Sequence, residues 1–215
     1  EPKSPGMSLG LFSMSYLGPI DYWAALLRYP YVICEAWETY PKQSYRNRCY
    51  IDSPNGPLKL TVPVNHQSAR YSGSIKLSPQ RDWMRAHLQA LRTTYGHSPF
   101  YETIGPGLAE VLSEPPNTLW ELNQRLAARI LHWLRRDQPL NATRSWVARP
   151  AGADDLRSPF HPKRKSPVKA FPPYWQNFRH KHGFLPNLSI IDLLMNEGPA
   201  AGAYLQQLEF VFSPL

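Results

Sequence analysis

The stretch Tyr40-Pro41-Lys42-Gln43-Ser44-Tyr45-Arg46-Asn47-Arg48-Cys49-Tyr50-Ile51 leads into the clearest turn signal of this 215-residue chain. Ser53-Pro54-Asn55-Gly56 follows it, and Asn-Gly is a preferred hairpin pair because both residues tolerate left-handed dihedral angles. From Leu58 to Val64 every second residue is apolar, which predicts a strand with one buried face. The sequence therefore predicts a β-hairpin over residues 45–64.

The first arm of this hairpin carries two arginines whose environment the sequence leaves open. If the strand alternation extends through the arm, Arg46 and Arg48 emerge on the same face of the sheet. Two neighbouring guanidiniums repel each other unless an anion, a carboxylate or solvent lies between them. One interpretation is an anion or phosphate site, and the other is a solvated face that blunts a sheet edge.

Composition limits the class of protein. With 42% hydrophobic and 13% aromatic residues the chain can bury a sizeable core, which excludes global disorder. The formal net charge of +8 favours an anionic partner and leaves open nucleic acid, an acidic membrane surface or a small anionic substrate. No apolar run approaches the ~20 residues that a membrane span needs, so the cytoplasm is the expected compartment.

The two cysteines, Cys34 and Cys49, do not form a CxxC pair, so a thiolate zinc site is not expected. Both lie in apolar runs where a free buried thiol is usual, and a disulfide between them stays open. The sequence also lacks the phosphate-loop, dinucleotide-fold, nucleophile-elbow and metalloprotease motifs. No metal site is predicted, and no cofactor is identified.

The first part of the chain has the pattern of a βαβ unit. Apolar residues fill 8–15, helical spacing follows over 20–28, and a second β-rich run covers 31–36. Strand, helix and strand in this order predict parallel neighbours and a Rossmann-like α/β fold. The loop after the first strand, which contains Gly18-Pro19, lies where such folds usually bind ligands.

Residues 8–208 are predicted to form a single domain whose second half is mostly helical. An apolar stripe over 83–95 predicts one helix, and Thr118 with Glu121 forms a capping box for another. Gly105-Pro106-Gly107 is expected to break the helical segment between them, because proline removes a backbone donor.

Two segments lack a sustained apolar period. Residues 1–6 are polar and proline-rich, and they are predicted to be a disordered tail or a vector-derived leader. Residues 136–173 hold many prolines and the basic cluster His161-Pro162-Lys163-Arg164-Lys165. A long segment of this kind within a domain is either functional or disordered. We expect a partly ordered cover over the active site, with a solvated linker as the alternative.

Acidic residues are scarce enough to be informative. Asp21 follows the first predicted strand, and Glu35 and Glu38 follow the second. Asp192 stands in an apolar helical run after Ser189, where it either caps the helix or pairs with a buried cation. The residues expected to share one cavity are Lys42, Arg46 and Arg48 with Asp192 or Glu197.

Four segments along the chain belong to one longer pattern. They are Tyr16-Leu17-Gly18-Pro19-Ile20-Asp21-Tyr22-Trp23, the 40–48 part of the stretch quoted above, Asp155-Leu156-Arg157 with His161-Pro162-Lys163, and Asn187-Leu188-Ser189-Ile190-Ile191-Asp192-Leu193-Leu194-Met195-Asn196-Glu197-Gly198-Pro199. In this order they resemble the WbqC-like family of bacterial surface-polysaccharide proteins. The first segment departs from the commoner family form, which has Gly-Tyr-Phe where this chain has Asp21-Tyr22-Trp23.

The resemblance implies a transferase of O-antigen and related polysaccharide biosynthesis that moves an acyl or aminoacyl group, such as glycine, to an amino sugar. Its partner would be a phosphate-bearing donor or a nucleotide sugar. Asp192 or Asp21 would be the general base, and His161 would stabilise developing negative charge. The residues expected to bind substrate are Lys42, Gln43, Tyr45, Arg46, Asn47, Arg48, Lys163, Asn187, Ser189, Asn196 and Glu197.

The alternative is a non-catalytic module that binds nucleic acid or a nucleotide. The hairpin arginines and the 161–165 cluster would then form one basic surface. Few aromatic residues interleave with those cations, which disfavours single-strand binding. The Asn, Gln and Asp residues of the motifs favour a small-ligand pocket, so the sequence favours the transferase.

Overall fold

A computed structural model of the chain describes residues 9–148 and 151–211. The predicted tail at 1–6 and the first residue of the predicted domain lie outside these ranges. The strands are β1 (Leu9–Phe12), β2 (Tyr31–Cys34), β3 (Arg48–Ile51), β4 (Leu58–Thr61), β5 (Val64–Asn65), β6 (Lys76–Leu77), β7 (Leu140–Ala142) and β8 (Ala153–Asp155). The helices are α1 (Ile20–Leu26), α2 (Asp82–Tyr95), α3 (Tyr101–Ser113), α4 (Leu119–Trp133), α5 (Arg179–His182), α6 (Ile190–Glu197) and α7 (Ala201–Gln207).

The centre of the fold is a parallel sheet with the strand order β7-β2-β1-β8. Leu9 of β1 lies opposite Tyr31 of β2 on one side and Ala153 of β8 on the other. Three of the four residues of β1 are buried, as expected for a parallel strand that is covered on both faces. Helix α1 connects β1 to β2, so the predicted βαβ unit and the α/β fold class are confirmed.

The two outer strands of this sheet come from segment 136–173, for which the sequence predicted no regular structure. β7 and β8 have three residues each, which is too short to show a period of two. Tertiary pairing holds them: the Thr143 N–H donates to the Cys34 carbonyl at 2.9 Å, and the Leu156 N–H donates to the Leu11 carbonyl at 2.8 Å. The prediction of a cover or a linker was therefore wrong for these two strands.

The predicted hairpin is confirmed as the antiparallel pair β3–β4, in which Arg48 lies opposite Thr61. Gly56 takes a φ of 97° in the turn, a value that glycine adopts without steric strain. The first strand begins at Arg48 and not at residue 45, because Ser44 fixes a turn in which its hydroxyl accepts the Arg46 N–H. Arg46 therefore leaves the strand alternation that the sequence predicted.

The longer helices form two packed groups. Helix α1 packs against α6 and α7, while α3 lies between α2 and α4. Helix α3 continues through Gly105-Pro106-Gly107, where the sequence predicted a break. A Cβ at Gly107 would lie 2.8 Å from the Trp133 ring of α4, so the missing side chain lets the two helices approach closely. This packing supports α3 across its proline.

The predicted helix starts are confirmed by side-chain hydrogen bonds. The Thr118 hydroxyl accepts the Glu121 N–H at 3.2 Å, and the Ser189 hydroxyl accepts the Ile191 N–H at 3.3 Å. Cys34 and Cys49 are both buried free thiols. Within residues 9–148 and 151–211, no helix has the length and hydropathy to cross a membrane, and no cluster of three or more His, Cys, Asp or Glu could hold a metal ion.

Gly198 ends α6 in a conformation that a larger residue would not tolerate. Its φ is 52°, and a Cβ built on it would lie 2.4 Å from the Phe100 ring. We expect Gly198→Ala to lower the free energy of unfolding by about 2–4 kcal/mol, because overpacking and left-handed strain act together. Urea unfolding measures this change.

Gly202→Ala is the matched control, because Gly202 lies in α7 and has nothing within 4 Å of the position of a Cβ. We expect this variant to be more stable than the original protein by up to about 1 kcal/mol, since alanine favours a helix over glycine. Equal stability of the two alanine variants would show that Gly198 tolerates a Cβ and that the close contact with Phe100 does not destabilise the fold.

Candidate functional site

A cleft of about 650 Å³ opens beyond the carboxyl ends of the parallel strands. Its volume is in the range of small-molecule sites. Arginines and aromatic rings dominate its walls, and the acids that line it are Glu38 and Asp155. The arginines are Arg46, Arg70, Arg157 and Arg164, and His161 lines the same cleft.

The strand order explains this position. From β1 the chain proceeds to β2 and β7 on one side of the sheet and then returns to β8 on the other side of β1. The chain leaves the neighbouring strands β1 and β8 in different directions at their carboxyl ends. A ligand crevice is expected at such a point in a parallel sheet. Asp155, the last residue of β8, lines the cleft, and Ser13, directly after β1, contacts the cleft residues Glu38 and Arg46.

Arg46 forms a buried, bidentate ion pair with Glu38 in the wall of the cleft. Its Nε donates to Oε1 and its Nη2 to Oε2, both at 2.6 Å. The two side chains are only 11% and 10% exposed, and Nη2 also donates to the Ser13 hydroxyl at 2.5 Å. Glu38 therefore neutralises and positions Arg46, and neither of its oxygens is free to act as a base.

Glu35 is fully buried directly after β2 and connects three loops. Its Oε1 accepts the Trp37 N–H at 2.8 Å and the Thr143 hydroxyl at 2.7 Å. Its Oε2 accepts the Val147 N–H and the Arg157 Nη1 proton, each at 3.3 Å. One carboxylate therefore joins the loops that follow β2, β7 and β8.

Arg157 connects Glu35 to the outer wall of the cleft. Its Nε and Nη2 donate to the Asp155 carboxylate at 2.9 and 2.5 Å, and these hydrogen bonds lower the pKa of Asp155. Its Nη1 also donates to the Val147 carbonyl at 2.6 Å. The guanidinium lies 4.8 Å from the centroid of the Trp146 ring, a cation–π contact. Trp146 is nevertheless 53% exposed.

Trp37 is the second large, exposed ring that lines the cleft. Its indole Nε1 donates to the Thr143 carbonyl at 3.1 Å, and its ring centroid lies 5.6 Å from that of Tyr71. Hydrogen bonds fix both the backbone N–H and the indole nitrogen of Trp37, yet the residue remains 42% exposed.

His161 is a neutral hydrogen-bond donor in this arrangement. Burial lowers its pKa, and the nearby guanidiniums of Arg164 and Arg46 lower it further, so the ring is uncharged at pH 7. Its Nδ1 accepts the Lys163 N–H at 3.2 Å, which in the neutral ring leaves the proton on Nε2. The Nε2 proton is available to an acceptor atom of a ligand.

Arg70 and Arg164 supply positive charge that forms no ion pair with an acid of the described residues. Both are exposed, and neither forms an ion pair within the described parts of the chain. The Arg164 Nη1 donates to the Ser158 carbonyl at 2.9 Å, and the Arg70 guanidinium lies 5.8 Å from the centroid of Tyr71. The two guanidiniums can therefore bind an anion.

A second cavity, of about 470 Å³, lies where β6 approaches the start of α2. Three prolines line it, and its charged residues are Lys76 and Arg81. Among the described residues that line it there is no acid or histidine, the residue types most often used in acid–base chemistry.

The model of the WbqC-like protein family matches residues 15–156. The chain belongs to this family. A protein of Mycobacterium tuberculosis (strain ATCC 25618 / H37Rv), described only as uncharacterized, is 28% identical to this WbqC-like chain over 199 residues, with 78% of this chain and 84% of that protein covered. No solved structure matches the chain significantly. Residues 161–163 and 187–199 lie beyond the matched range, so their resemblance to the family remains a prediction.

The structure of this WbqC-like protein brings together four of the predicted site residues, namely Arg46, Arg48, His161 and Lys163. The positive charges of the first two and of Lys163 all lower the pKa of His161, so they act on one ring. Arg46 and His161 line the cleft itself. The two hairpin arginines and the 161–165 cluster therefore lie in one part of the molecule, and the binding and catalytic roles expected of them remain predictions.

Three other predicted substrate-binding residues of the hairpin stretch lie in different environments. Lys42 and Gln43 are exposed in the preceding loop, where Gln43 has a φ of 59°. Asn47 is buried, and its Nδ2 donates to the Val62 carbonyl at 2.9 Å. Asn47 therefore extends the contact between the two arms of the hairpin.

Asp21, Tyr45, Asn187 and Ser189 form a separate group around the start of α1, and none of them lines the cleft. Asp21 accepts the Ser166 hydroxyl proton at 2.6 Å, and the Asn187 side-chain oxygen accepts the Asp21 N–H at 2.9 Å. Burial raises the pKa of Asp21 to about 6. Burial and the charge of Asp21 both raise the pKa of Tyr45, which places the two side chains near each other.

Asp192 lies in a third group and contacts hydroxyl and amide donors. The Tyr95 and Tyr174 hydroxyls donate to its carboxylate at 2.7 and 2.5 Å, and the Gln176 Nε2 donates at 3.1 Å. Asn196 donates to the Asp192 carbonyl from the same helix. The expectation that Asp192 pairs with a cation of the hairpin was wrong, because these three donors already satisfy it.

Glu197, the other acid expected near the hairpin cations, lies at the end of α6. It is not among the residues that line the cleft; burial raises the pKa of Tyr204, and the charge of Glu197 raises it further. The acid that pairs with Arg46 is Glu38, which the sequence analysis identified as scarce but did not assign to the site.

Sequence reasoning also missed the aromatic wall. Trp37 and Trp146 gave no signal, because their exposure depends on how distant segments pack. Glu35 and Glu38 did give one: two acids directly after the second strand of a βαβ unit lie at the edge where such sheets bind ligands.

We expect Arg46→Gln to lower the free energy of unfolding by about 3–5 kcal/mol, because it leaves the buried Glu38 carboxylate without its cation. Chemical unfolding measures the loss. Arg129→Gln is the matched control, since it breaks a pair with Glu110 whose side chains are 38% and 67% exposed, and it should change stability by less than about 1 kcal/mol. Similar small losses in both variants would show that the Arg46 pair is solvated.

Asp192 predicts a distinct dependence of stability on pH. Burial raises its pKa in the folded protein to about 6 from the usual 3.8. The folded state therefore binds this proton more tightly than the unfolded chain, and the resulting stabilisation is present below about pH 4 and lost as the pH rises to about 6. The loss should amount to up to about 3 kcal/mol.

Asp192→Asn tests this dependence, because asparagine does not titrate. The stability of the original protein relative to the variant should fall between about pH 4 and pH 7 in urea unfolding. The comparison uses the difference in unfolding free energy between the two proteins, because His87 also titrates in this range. Burial lowers the pKa of its ring to about 4, so His87 makes the protein more stable as the pH rises, in both the original and the variant. Parallel pH profiles would contradict a raised pKa of Asp192.

Proposed function

We propose that this WbqC-like protein binds a phosphate-bearing small molecule in the cleft and transfers an acyl or aminoacyl group between that donor and an amino sugar in surface-polysaccharide biosynthesis. The observation that carries the proposal is that Arg70 and Arg164, two exposed arginines with no ion-pair partner among the described residues, line the same cleft as neutral His161. Resemblance to the family supplies the reaction class, and the charge of the cleft supports the phosphate-bearing donor.

The charge of the cleft favours an anionic ligand. Glu38 and Asp155 each pair with one arginine of the cleft wall, so the charges of Arg70 and Arg164 remain for the ligand. Phosphate oxygens accept charge-assisted hydrogen bonds from guanidinium groups, often two at a time.

In the proposed transfer, the amine nitrogen of the acceptor attacks the carbonyl carbon of the acyl group. The new C–N bond forms as the bond from that carbon to its carrier breaks, and the ammonium proton passes through solvent to the departing carrier. His161 would donate its Nε2 proton in a hydrogen bond to the carbonyl oxygen as negative charge develops there. The general-base roles predicted for Asp192 and Asp21 find no support in the cleft, because both are buried in networks outside it.

The alternative function, a nucleic-acid-binding module, requires a surface of unpaired cations. Arg46 is buried against Glu38 and so is removed from such a surface. A bounded cleft with two free arginines fits a small anion better than a groove that follows a phosphate backbone.

Pyrophosphate is the simplest probe of the proposed donor site. We expect Arg164→Gln to weaken its binding by about 1.5–3 kcal/mol, because a hydrogen bond to a charged group is lost. Isothermal titration calorimetry measures the affinity. Arg125→Gln is the matched control, because Arg125 is exposed on α4 and does not line the cleft.

A short single-stranded oligonucleotide, titrated under the same conditions, distinguishes the alternative. Tighter binding of the oligonucleotide than of pyrophosphate, with a steep dependence on salt and equal losses in both variants, would favour the nucleic-acid module. Mass spectrometry of molecules that copurify with the protein then tests the transferase: an acylated or aminoacylated phosphate-bearing carrier supports it.

A further inference from the structure

We propose that the aromatic wall of the cleft, formed by Trp37 and Trp146, is a subsite for the planar base of a nucleotide whose phosphates bind Arg70 and Arg164. This inference rests on the proposed function and makes it more specific, because it assigns the donor to the nucleoside diphosphate derivatives. The fixed rings, the adjacent cations and the shortage of free carboxylates among the described residues of the cleft favour this ligand.

Trp37 is exposed but held in place. Its backbone N–H donates to Glu35 and its indole Nε1 to the Thr143 carbonyl, so both ends of the residue are fixed before a ligand arrives. A ring that is already ordered loses little conformational freedom on binding. An exposed tryptophan fixed in this way on the wall of a cleft is therefore suited to stacking.

Trp146 is supported by a different contact. The Arg157 guanidinium lies 4.8 Å from its ring centroid, and Arg157 is itself fixed by the carboxylates of Glu35 and Asp155. The side chain is 53% exposed and lines the same cleft as Trp37. Both tryptophans therefore depend on the one buried carboxylate of Glu35.

The aromatic and cationic parts of the cleft adjoin each other through Tyr71. The Tyr71 ring lies 5.6 Å from that of Trp37 and 5.8 Å from the Arg70 guanidinium, measured between the ring centroids and from the guanidinium carbon. A ligand that stacks on the tryptophan wall thus places its next groups beside a free cation. Base followed by phosphate is the order of groups in a nucleotide.

A base fits this wall better than a sugar ring. The hydroxyls of a sugar need hydrogen-bond acceptors, and the carboxylates that line the cleft, Glu38 and Asp155, are already occupied by arginines. Neither Asn nor Gln is among the described residues that line the cleft. A base presents a flat π face that stacks on aromatic rings, while the N–H groups at its edge can face solvent.

Calorimetric titration of UDP, ADP and pyrophosphate tests the subsite. We expect both nucleotides to bind more tightly than pyrophosphate and to quench tryptophan fluorescence. Trp146→Leu should weaken UDP and ADP by about tenfold or more and leave pyrophosphate unchanged, because base stacking alone is lost. Trp37→Leu is a second variant with the same expected pattern, and thermal melting checks that both variants fold.

Trp175→Leu is the matched control, because Trp175 is 64% exposed and does not line the cleft. If the nucleotides bind no more tightly than pyrophosphate, or if the cleft variants and the control behave alike, the base subsite is overturned while the proposed phosphate site stands. If none of the three probes binds, the phosphate site fails and the base subsite fails with it.

Discussion

The candidate site depends on the burial of a single carboxylate, that of Glu35. Its side chain is fully buried at the end of a core strand, where an unpaired charge would be strongly destabilising. Four donors satisfy it, and they come from the loops that follow β2, β7 and β8. One buried carboxylate therefore joins the ends of the parallel strands to the loops that form the cleft wall.

The protein separates its buried acids into distinct polar networks. Around the cleft, acids pair with arginines and hold them in place. Around α6, Asp192 is held by two tyrosine hydroxyls and a glutamine, and the charge of nearby Asp52 contributes to its raised pKa. Asp52 accepts the Phe178 N–H at 3.1 Å and lies 3.1 Å from the His182 Nε2, which attaches residues 178–182 to the hairpin. The networks of Asp192 and Asp52 stabilise the fold, and the network at the cleft also shapes a site.

Membership of the WbqC-like family and the geometry of the cleft support each other at different levels. The family match begins after β1 and includes α1, β2, the hairpin and β8, and it covers the residues that line the cleft from Trp37 to Asp155. The cleft adds what a family resemblance does not supply: paired arginines that are structural, free arginines that can meet an anion, and a fixed aromatic wall. The chemistry of the site is thus expected from His161 and the free cations, since the carboxylates are already engaged.

The sequence by itself determined the local elements. The Asn-Gly turn, the capping residues Thr118 and Ser189 and the apolar spacing of the βαβ unit depend on neighbours in the chain, so their structures follow from local patterns. The α/β fold class was predictable because it follows from these local patterns. The family resemblance was predictable because its segments are read directly from the sequence. Only the tertiary structure decided that β7 and β8 complete the sheet, because strands of three residues have no period and gain their hydrogen bonds from β1 and β2. It also decided that Arg46 pairs with Glu38 and not with Asp192. A buried carboxylate can bond only to the donors that tertiary packing places next to it, and for Asp192 one of these is the Tyr174 hydroxyl.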